Sequence, residues 1–265
     1  VELTLPVGLA LMAFRGLRRE VLPLMTLFTI IPVGALVLSG SRGGLIGFAL
    51  EIGMLGWMMR KRRVLRSGRV AVVAAVAIVA LFFVFWVGAG LAIQKFSALK
   101  SPDVSMGRRL SMARGAAHIF FDHPLKGCGL GTMVAVYPRY ETNYDGRVVD
   151  HVHNDYMETL GETGLLGGLC GAAFLWLLWR AARKNFGAQQ GHFSLGLHAG
   201  AIMAVGGLLL HSFVDFNLHI PANALLFLLQ AYVVTIPPLP SEAARAGARR
   251  RRWEYEDVTE QANEG

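Results

Sequence analysis

Only two cysteines occur among 265 residues, Cys128 in a polar stretch and Cys170 inside an apolar run, so no disulfide framework can be read and both are expected as free thiols. Charge is scarce as well: Asp, Glu, Lys and Arg make up 17% of the chain against 54% hydrophobic residues. With a mean hydropathy of +0.44, that balance excludes a single soluble core and makes lipid the expected main solvent. Acidic residues are the scarcer sign, 18 against 26 basic, for a net charge of +8. The basic residues sit in short clusters between apolar runs, a pattern that reads as positive cytoplasmic loops and not as a nucleic-acid surface. The chain opens on Val, no charged region precedes its first apolar stretch, and that stretch is short, so the sequence is expected to begin partway through a longer protein.

What is abundant is apolar sequence in blocks. Residues 70 to 93 form an unbroken uncharged run, and about 20 such residues suffice to cross a bilayer as a helix. Seven membrane helices are expected, near 3–14, 21–38, 43–59, 70–93, 159–179, 196–213 and 219–236. The predicted fold is an all-α polytopic membrane protein of about seven transmembrane helices with one large helical periplasmic loop. Its parts are four helices over 1–93, a loop subdomain over 94–158, three helices over 159–236 and a disordered cytoplasmic tail over 237–265. Within the loop, a helix is expected near 107–121, followed by a turn-rich segment and a Tyr-rich one.

The connecting segments sort into two sets. One set has Arg15, Arg18 and Arg19, then six Lys or Arg in the ten residues 60–69, then Arg180, Arg183 and Lys184, and last the run Arg249 to Arg252. By the positive-inside rule this set is cytoplasmic. The other set is then on the outer side, and it holds the Ser41–Gly44 turn, the loop over 94–158 and the turn near 214–219. The loop carries eight Lys or Arg, but long loops translocate largely regardless of charge.

Three elements on that outer side carry candidate chemistry. The first is HVHNDYMETLGETGLLGG, residues 151–168, where the loop enters a membrane helix. His151 and His153 could share a zinc ion, although neither HExxH nor cysteine supports it. Alternatively His153 or Asn154 caps the helix and Glu158 and Glu162 are solvated one turn apart. The second is the turn Ser41-Arg42-Gly43-Gly44, whose lone Arg either snorkels to lipid headgroups or binds phosphate through its planar fork. The third is HSFVDFNLHIPAN, residues 211–223, in which Asp215 lies between His211 and His219. It could hold an imidazole tautomer or simply cap a turn.

Together the Ser41–Gly44 turn, GRRLSMARGAAHIFFDHPLKGCGLGT, residues 151–168 and residues 211–223 resemble the C-terminal region shared by O-antigen ligases, O-antigen polymerases and O-linked oligosaccharyltransferases. The resemblance covers roughly residues 35 to 235. The most specific part is His153-Asn154 followed after nine residues by Gly164 and Gly167. It implies an inner-membrane, multi-pass glycosyltransferase whose active site faces the periplasm. The implied donor is a polyprenyl-diphosphate-linked glycan, and the acceptor is a hydroxyl on lipid A core, on another repeat unit or on a protein. Membrane lipids surround both, and no metal or other cofactor is implied. His153 corresponds to the catalytic histidine, and Arg42 to an arginine that engages the diphosphate. Arg108, Arg109 and Arg114 fall in the basic block that opens the loop, and with Asn154, His211, Asp215 and His219 they are expected to bind substrate. Where Met112 or Ala113 stands, members often carry Trp.

The residue types suit that chemistry. Guanidinium groups stabilise the negative charge that grows on a leaving diphosphate, and an imidazole titrating near neutrality suits removal of the acceptor proton. A transporter is the rival from another class, but it would place ionisable groups near the bilayer midplane, where only Glu51, His198 and Gln230 fall.

Overall fold

The computed structural model describes residues 2–39, 41–64, 106–142, 144 and 146–238. The described elements are helices and turns, with no strand among them. In chain order they are α1 (Leu5–Ala13), α2 (Leu22–Ser39), α3 (Arg42–Lys61), α4 (Met106–Asp122), the short α5 (Met133–Val136), α6 (Asp155–Ala188), α7 (His192–His211) and α8 (Pro221–Thr235). Single 3-10 turns cover Arg19–Val21, Tyr137–Arg139 and Asn217–His219. Helices thus form close to six of the seven positions expected for membrane helices. The seventh, over 70–93, and the tail from 239 lie outside the described residues.

Three segments are long and apolar enough to cross a membrane: Arg19–Leu36, Asp155–Ala188 and His192–His211, with Pro221–Thr235 a shorter apolar helix. Their burial separates their roles. Only 6% of the apolar window in Asp155–Ala188 is covered by protein, against 61% in His192–His211. The uncovered Leu165, Leu166, Leu169, Trp176 and Leu177 face outward as lipid-facing side chains do, and so do Leu24, Leu27, Phe28, Ile30 and Ile31 of α2. α1, only nine residues long and almost wholly buried, is too short to span and acts as a packing element.

α7 is the central helix because it is lined with small residues. A side chain at Gly196 or Gly200 would run into the backbone of Leu11 or Val7, so these glycines let α1 approach closely. Opposite α3, Gly207 makes room for the fully buried Glu51. Two other polar groups inside helices find partners: Gln230 donates to the Leu3 carbonyl at 2.8 Å, and His198 lies 3.3 Å from the Gln189 amide. α1, α2, α3 and α7 enclose one apolar cluster, and α6, α7 and α8 a second.

The segment before α6 has its own core of Met112, Ala116, Ile119, Met133, Tyr137, Val149 and Val152. Burying each large member contributes about 1.5–3 kcal/mol. α4 forms because its apolar positions 112, 116 and 119 recur on one face toward this core, with Arg114 and His118 left exposed.

α6 corrects two expectations. The helix expected over 159–179 begins at Asp155 and runs to Ala188, because Asn154 supplies the cap: its side-chain oxygen accepts from Met157 N at 3.0 Å. It is also broken at Gly164, where φ is 63° and ψ −161°, a backbone region essentially reserved for glycine. The break frees two backbone donors, and Leu165 N and Leu166 N bond to the carbonyls of Pro124 and Leu125 at 2.8 and 3.2 Å. In the other direction Cys128 N and Gly129 N donate to Gly161 O and Glu162 O at 3.0 and 2.9 Å. Glu162 is therefore not solvated. It is 1% exposed and accepts from Gly131 N and Met133 N, both at 2.9 Å. After the break, Leu165 to Ala188 rises about 36 Å at 1.5 Å per residue, enough for the roughly 30 Å hydrocarbon core.

Basic side chains gather at the far ends of α3 and α6. Lys61 lies over Trp57, Arg180 over Trp176 and Arg183 over Trp179, while Arg62 lies over Phe186 and ties the two ends together. Trp with flanking Arg and Lys is the pattern of a membrane–water interface.

Candidate active site

The start of α3, the start of α6, the end of α7 and the turn before α8 meet at the opposite end. Backbone bonds fix this junction. Asp155 N donates to Ser212 O at 3.0 Å, Asn154 Nδ2 to Phe213 O at 2.9 Å and Tyr156 Oη to Leu209 O at 2.6 Å. From α4, Arg109 Nη1 donates to the Val214 carbonyl. Asn154 thus does two tasks, capping α6 with its oxygen and holding the α7 turn with its amide.

The two histidines of the 151–168 block go different ways. His153 Nδ1 lies 3.0 Å from Asp215 Oδ1, with the two side chains 20% and 30% exposed. Its backbone sits at φ 52°, a left-handed conformation uncommon for a residue with a side chain. Such strain persists only where neighbours hold it, and it clusters at functional positions. His151 Nδ1 instead lies 2.6 Å from Glu158 Oε1. The spacing of two residues therefore does not bring these rings to one shared partner.

Asp215 is the hub of the turn. Besides His153, its Oδ1 accepts from Phe216 N at 3.0 Å, and its Oδ2 lies 3.9 Å from His211 Nε2. Partial burial works against its charge. The hydrogen bonds from His153 and Phe216 N, with the His153 and Arg109 charges, outweigh that and hold the carboxyl below its ordinary range. Both readings of residues 211–223 find a counterpart: Asp215 accepts from Phe216 N of its own turn, and it faces an imidazole, that of His153. His219 pairs elsewhere: its Nδ1 lies 2.6 Å from Asp155 Oδ1 and its Nε2 3.5 Å from Glu158 Oε1. The bond to Asp155 pushes the His219 imidazole up, against burial, and Glu158 and Glu162 add to the rise. Glu158, 1% exposed, corrects the expectation of a solvated surface charge.

The Ser41–Gly44 turn reaches the same place. Ser41 caps α3, its Oγ accepting from Gly44 N at 3.1 Å, and Arg42 is the first residue of the helix. A side chain on Gly43 would run into the His211 ring and Val214, so the backbone beside Arg42 abuts the His211–Asp215 turn. His211 Nδ1 is in turn 2.9 Å from the Glu2 carboxylate. Among the basic residues of α4, Arg109 reaches the turn, Arg108 is half-buried with its charge felt at Tyr137, and Arg114 is exposed.

Three participants were not among the expected site residues. Asp155 and Glu158 occupy the first turn of α6 three residues apart, a spacing that sets both on one helical face, and that spacing was the signal available. Phe216 gave none. Its ring stacks on His151 at 4.5 Å and meets His153 edge-on at 5.0 Å, separating the two imidazoles.

A family model described as O-antigen ligase matches residues 27–172, which takes in the Ser41–Gly44 turn, α4 and the whole 151–168 block and stops before the turn that holds Asp215. No curated protein matches the chain. With more than half of its length inside that match and apolar helices long enough to cross a bilayer, the chain is a multi-pass membrane protein that belongs to the O-antigen ligase family of glycosyltransferases.

Proposed function

We propose that this chain transfers a glycan from a polyprenyl-diphosphate donor to an acceptor hydroxyl at the periplasmic face of the inner membrane, with His153 as base and Arg42 as the diphosphate-binding cation. The observation that carries the reading is the junction of Arg42's helix start, His153 and Asp215, which lie far apart in sequence. The basic, tryptophan-rich ends of α3 and α6 lie away from it, which supports a cytoplasmic basic face and a periplasmic site.

In this reading Asp215 accepts the Nδ1 proton of His153 and leaves Nε2 to take the proton of the acceptor hydroxyl. The acceptor oxygen attacks the anomeric carbon while the bond from that carbon to the diphosphate oxygen breaks. The departing charge falls to Arg42, aided by Arg109 and Arg114 of the basic block. Attack opposite the leaving group inverts the anomeric carbon. Arg108, Asn154, His211 and His219 complete the substrate-binding surface. The reaction so drawn has no metal-dependent step. Lipid A core, a further repeat unit and a protein hydroxyl all satisfy the acceptor chemistry.

The test is full-length protein in lipid vesicles, supplied with polyprenyl-diphosphate glycan and each acceptor class in turn. The reading expects donor consumption and a product of inverted configuration with one acceptor. Movement of the glycan across the bilayer with every bond intact would favour a transporter instead.

A further inference from the structure

We propose that His151, Glu158 and His219 form a binding site for one divalent transition-metal ion of the zinc type, separate from the His153–Asp215 pair. One ligand atom from each of the three lies within 4.8 Å of those of the other two. They come from three different segments: the end of the loop, the first turn of α6 and the 3-10 turn Asn217–His219. Two imidazoles and one carboxylate are the donors zinc takes, whereas magnesium and calcium prefer oxygen alone.

The surroundings are those that fix metal ligands. Asp155 Oδ1 sits 2.6 Å from His219 Nδ1, which leaves Nε2 facing Glu158 Oε1, and Asp155 Oδ2 is itself held by Leu218 N at 3.0 Å. A carboxylate behind a histidine is the usual second partner of a zinc ligand. The other oxygen of Glu158 accepts from Val152 N at 2.9 Å, so Oε1 is presented to the rings. Phe216 covers one face of His151. The two imidazoles are 29% and 21% exposed, which opens a path for the ion and a fourth position for water.

Charge balance points the same way. Asp155 and Glu158 are 2% and 1% exposed, and two buried carboxylates demand two positive charges nearby. One divalent ion held by Glu158, with Asp155 behind His219, supplies both. Zinc bonds of 2.0–2.1 Å in a tetrahedron set ligand atoms roughly 3.3 Å apart. The separations of 2.6 and 3.5 Å around Glu158 Oε1 need only modest spreading to reach that.

The test uses full-length protein in detergent micelles, stripped with chelator and then titrated with zinc against a chromophoric competitor. One equivalent should bind. Glu158→Gln and His219→Ala should each weaken it on the order of 100-fold, Asp155→Asn about 10- to 100-fold, and His123→Ala, an exposed histidine elsewhere, should leave it unchanged. Zinc should also raise the thermal midpoint of the wild-type protein and not that of Glu158→Gln. Should a variant fail to fold, zinc-edge X-ray absorption on the wild-type protein decides, with two imidazoles and one carboxylate oxygen expected. No stoichiometric zinc, a different ligand set, or unchanged binding in Glu158→Gln would overturn the site. Because the readout is binding, its failure would leave the transfer reading intact.

Discussion

Replacing Asp215 by Asn removes one charge from the centre of the junction while keeping an oxygen that can still accept from His153 Nδ1. A hydrogen bond to a charged group contributes about 1.5–3 kcal/mol when buried. Here the partners are 20% and 30% exposed, so solvent screening reduces this to about 1–2 kcal/mol. If that stabilisation is felt as the imidazole takes the acceptor proton, transfer falls roughly 5- to 30-fold, at 1.36 kcal/mol per factor of ten. The assay pairs transfer of labelled glycan in vesicles with a separate measurement of donor binding. The rate should fall while donor affinity stays the same, and Asp215→Asn added to His153→Ala should cost nothing further, as for residues acting as one unit. The acid side is also fixed in sign. The Asp215 carboxyl is held below its ordinary value of 3.8 in the fold, so its pairing stabilises the protein at every pH above about 4. That contribution is lost only as pH falls through the lowered value. The stability gap between wild type and Asp215→Asn should therefore close as pH falls below about 4. Loss of donor binding with an unchanged transfer step, or an unaffected rate, would refute the positioning role.

Gly164→Ala should lower stability by more than about 3 kcal/mol or abolish expression, since it forces a side chain into a glycine-only conformation and against the Leu125–Gly127 backbone, whereas Gly171→Ala, facing open space, should be neutral in the same thermal melt. Cys128, half-buried in the loop that docks on the α6 break, should react with a membrane-impermeant thiol reagent from the periplasmic side, and a cysteine placed at Ser67 should not; the reverse pattern would put the site in the cytoplasm. Transfer should survive EDTA, because hydrogen bonds already hold the His151–Glu158–His219 cluster, and loss rescued only by zinc or manganese would contradict that.

The helices were legible because apolar runs of near-membrane length leave few alternatives, and α2, α3, α7 and α8 lie within a few residues of their expected bounds. α6 was legible only in part. Its first turn, Asp155 to Glu158, is polar, so the apolar run began late, and the break at Gly164 makes sense only with the Pro124–Gly129 segment docked on it. Glu162 read as solvated because its partners are backbone N–H groups from 29 and 31 residues earlier, and Glu158 because the chain before α6 turns back to bring Val152 N and the His151 ring onto it. His153, Arg42 and Asp215 were each singled out by type and position. Their pairing was not, because His153 and Asp215 are 62 residues apart and His211 and His219 stood nearer in sequence.

The central claim is that the His153 imidazole takes the acceptor proton while other groups hold the donor. It is tested most directly by measuring donor binding and glycan transfer side by side in His153→Ala, with expression level as control. The account predicts unchanged donor affinity and a transfer rate lower by a factor on the order of 10² to 10⁴, the usual contribution of a general base. Transfer at the wild-type rate would contradict it and leave His153 as a strained partner of Asp215 with no part in the chemistry.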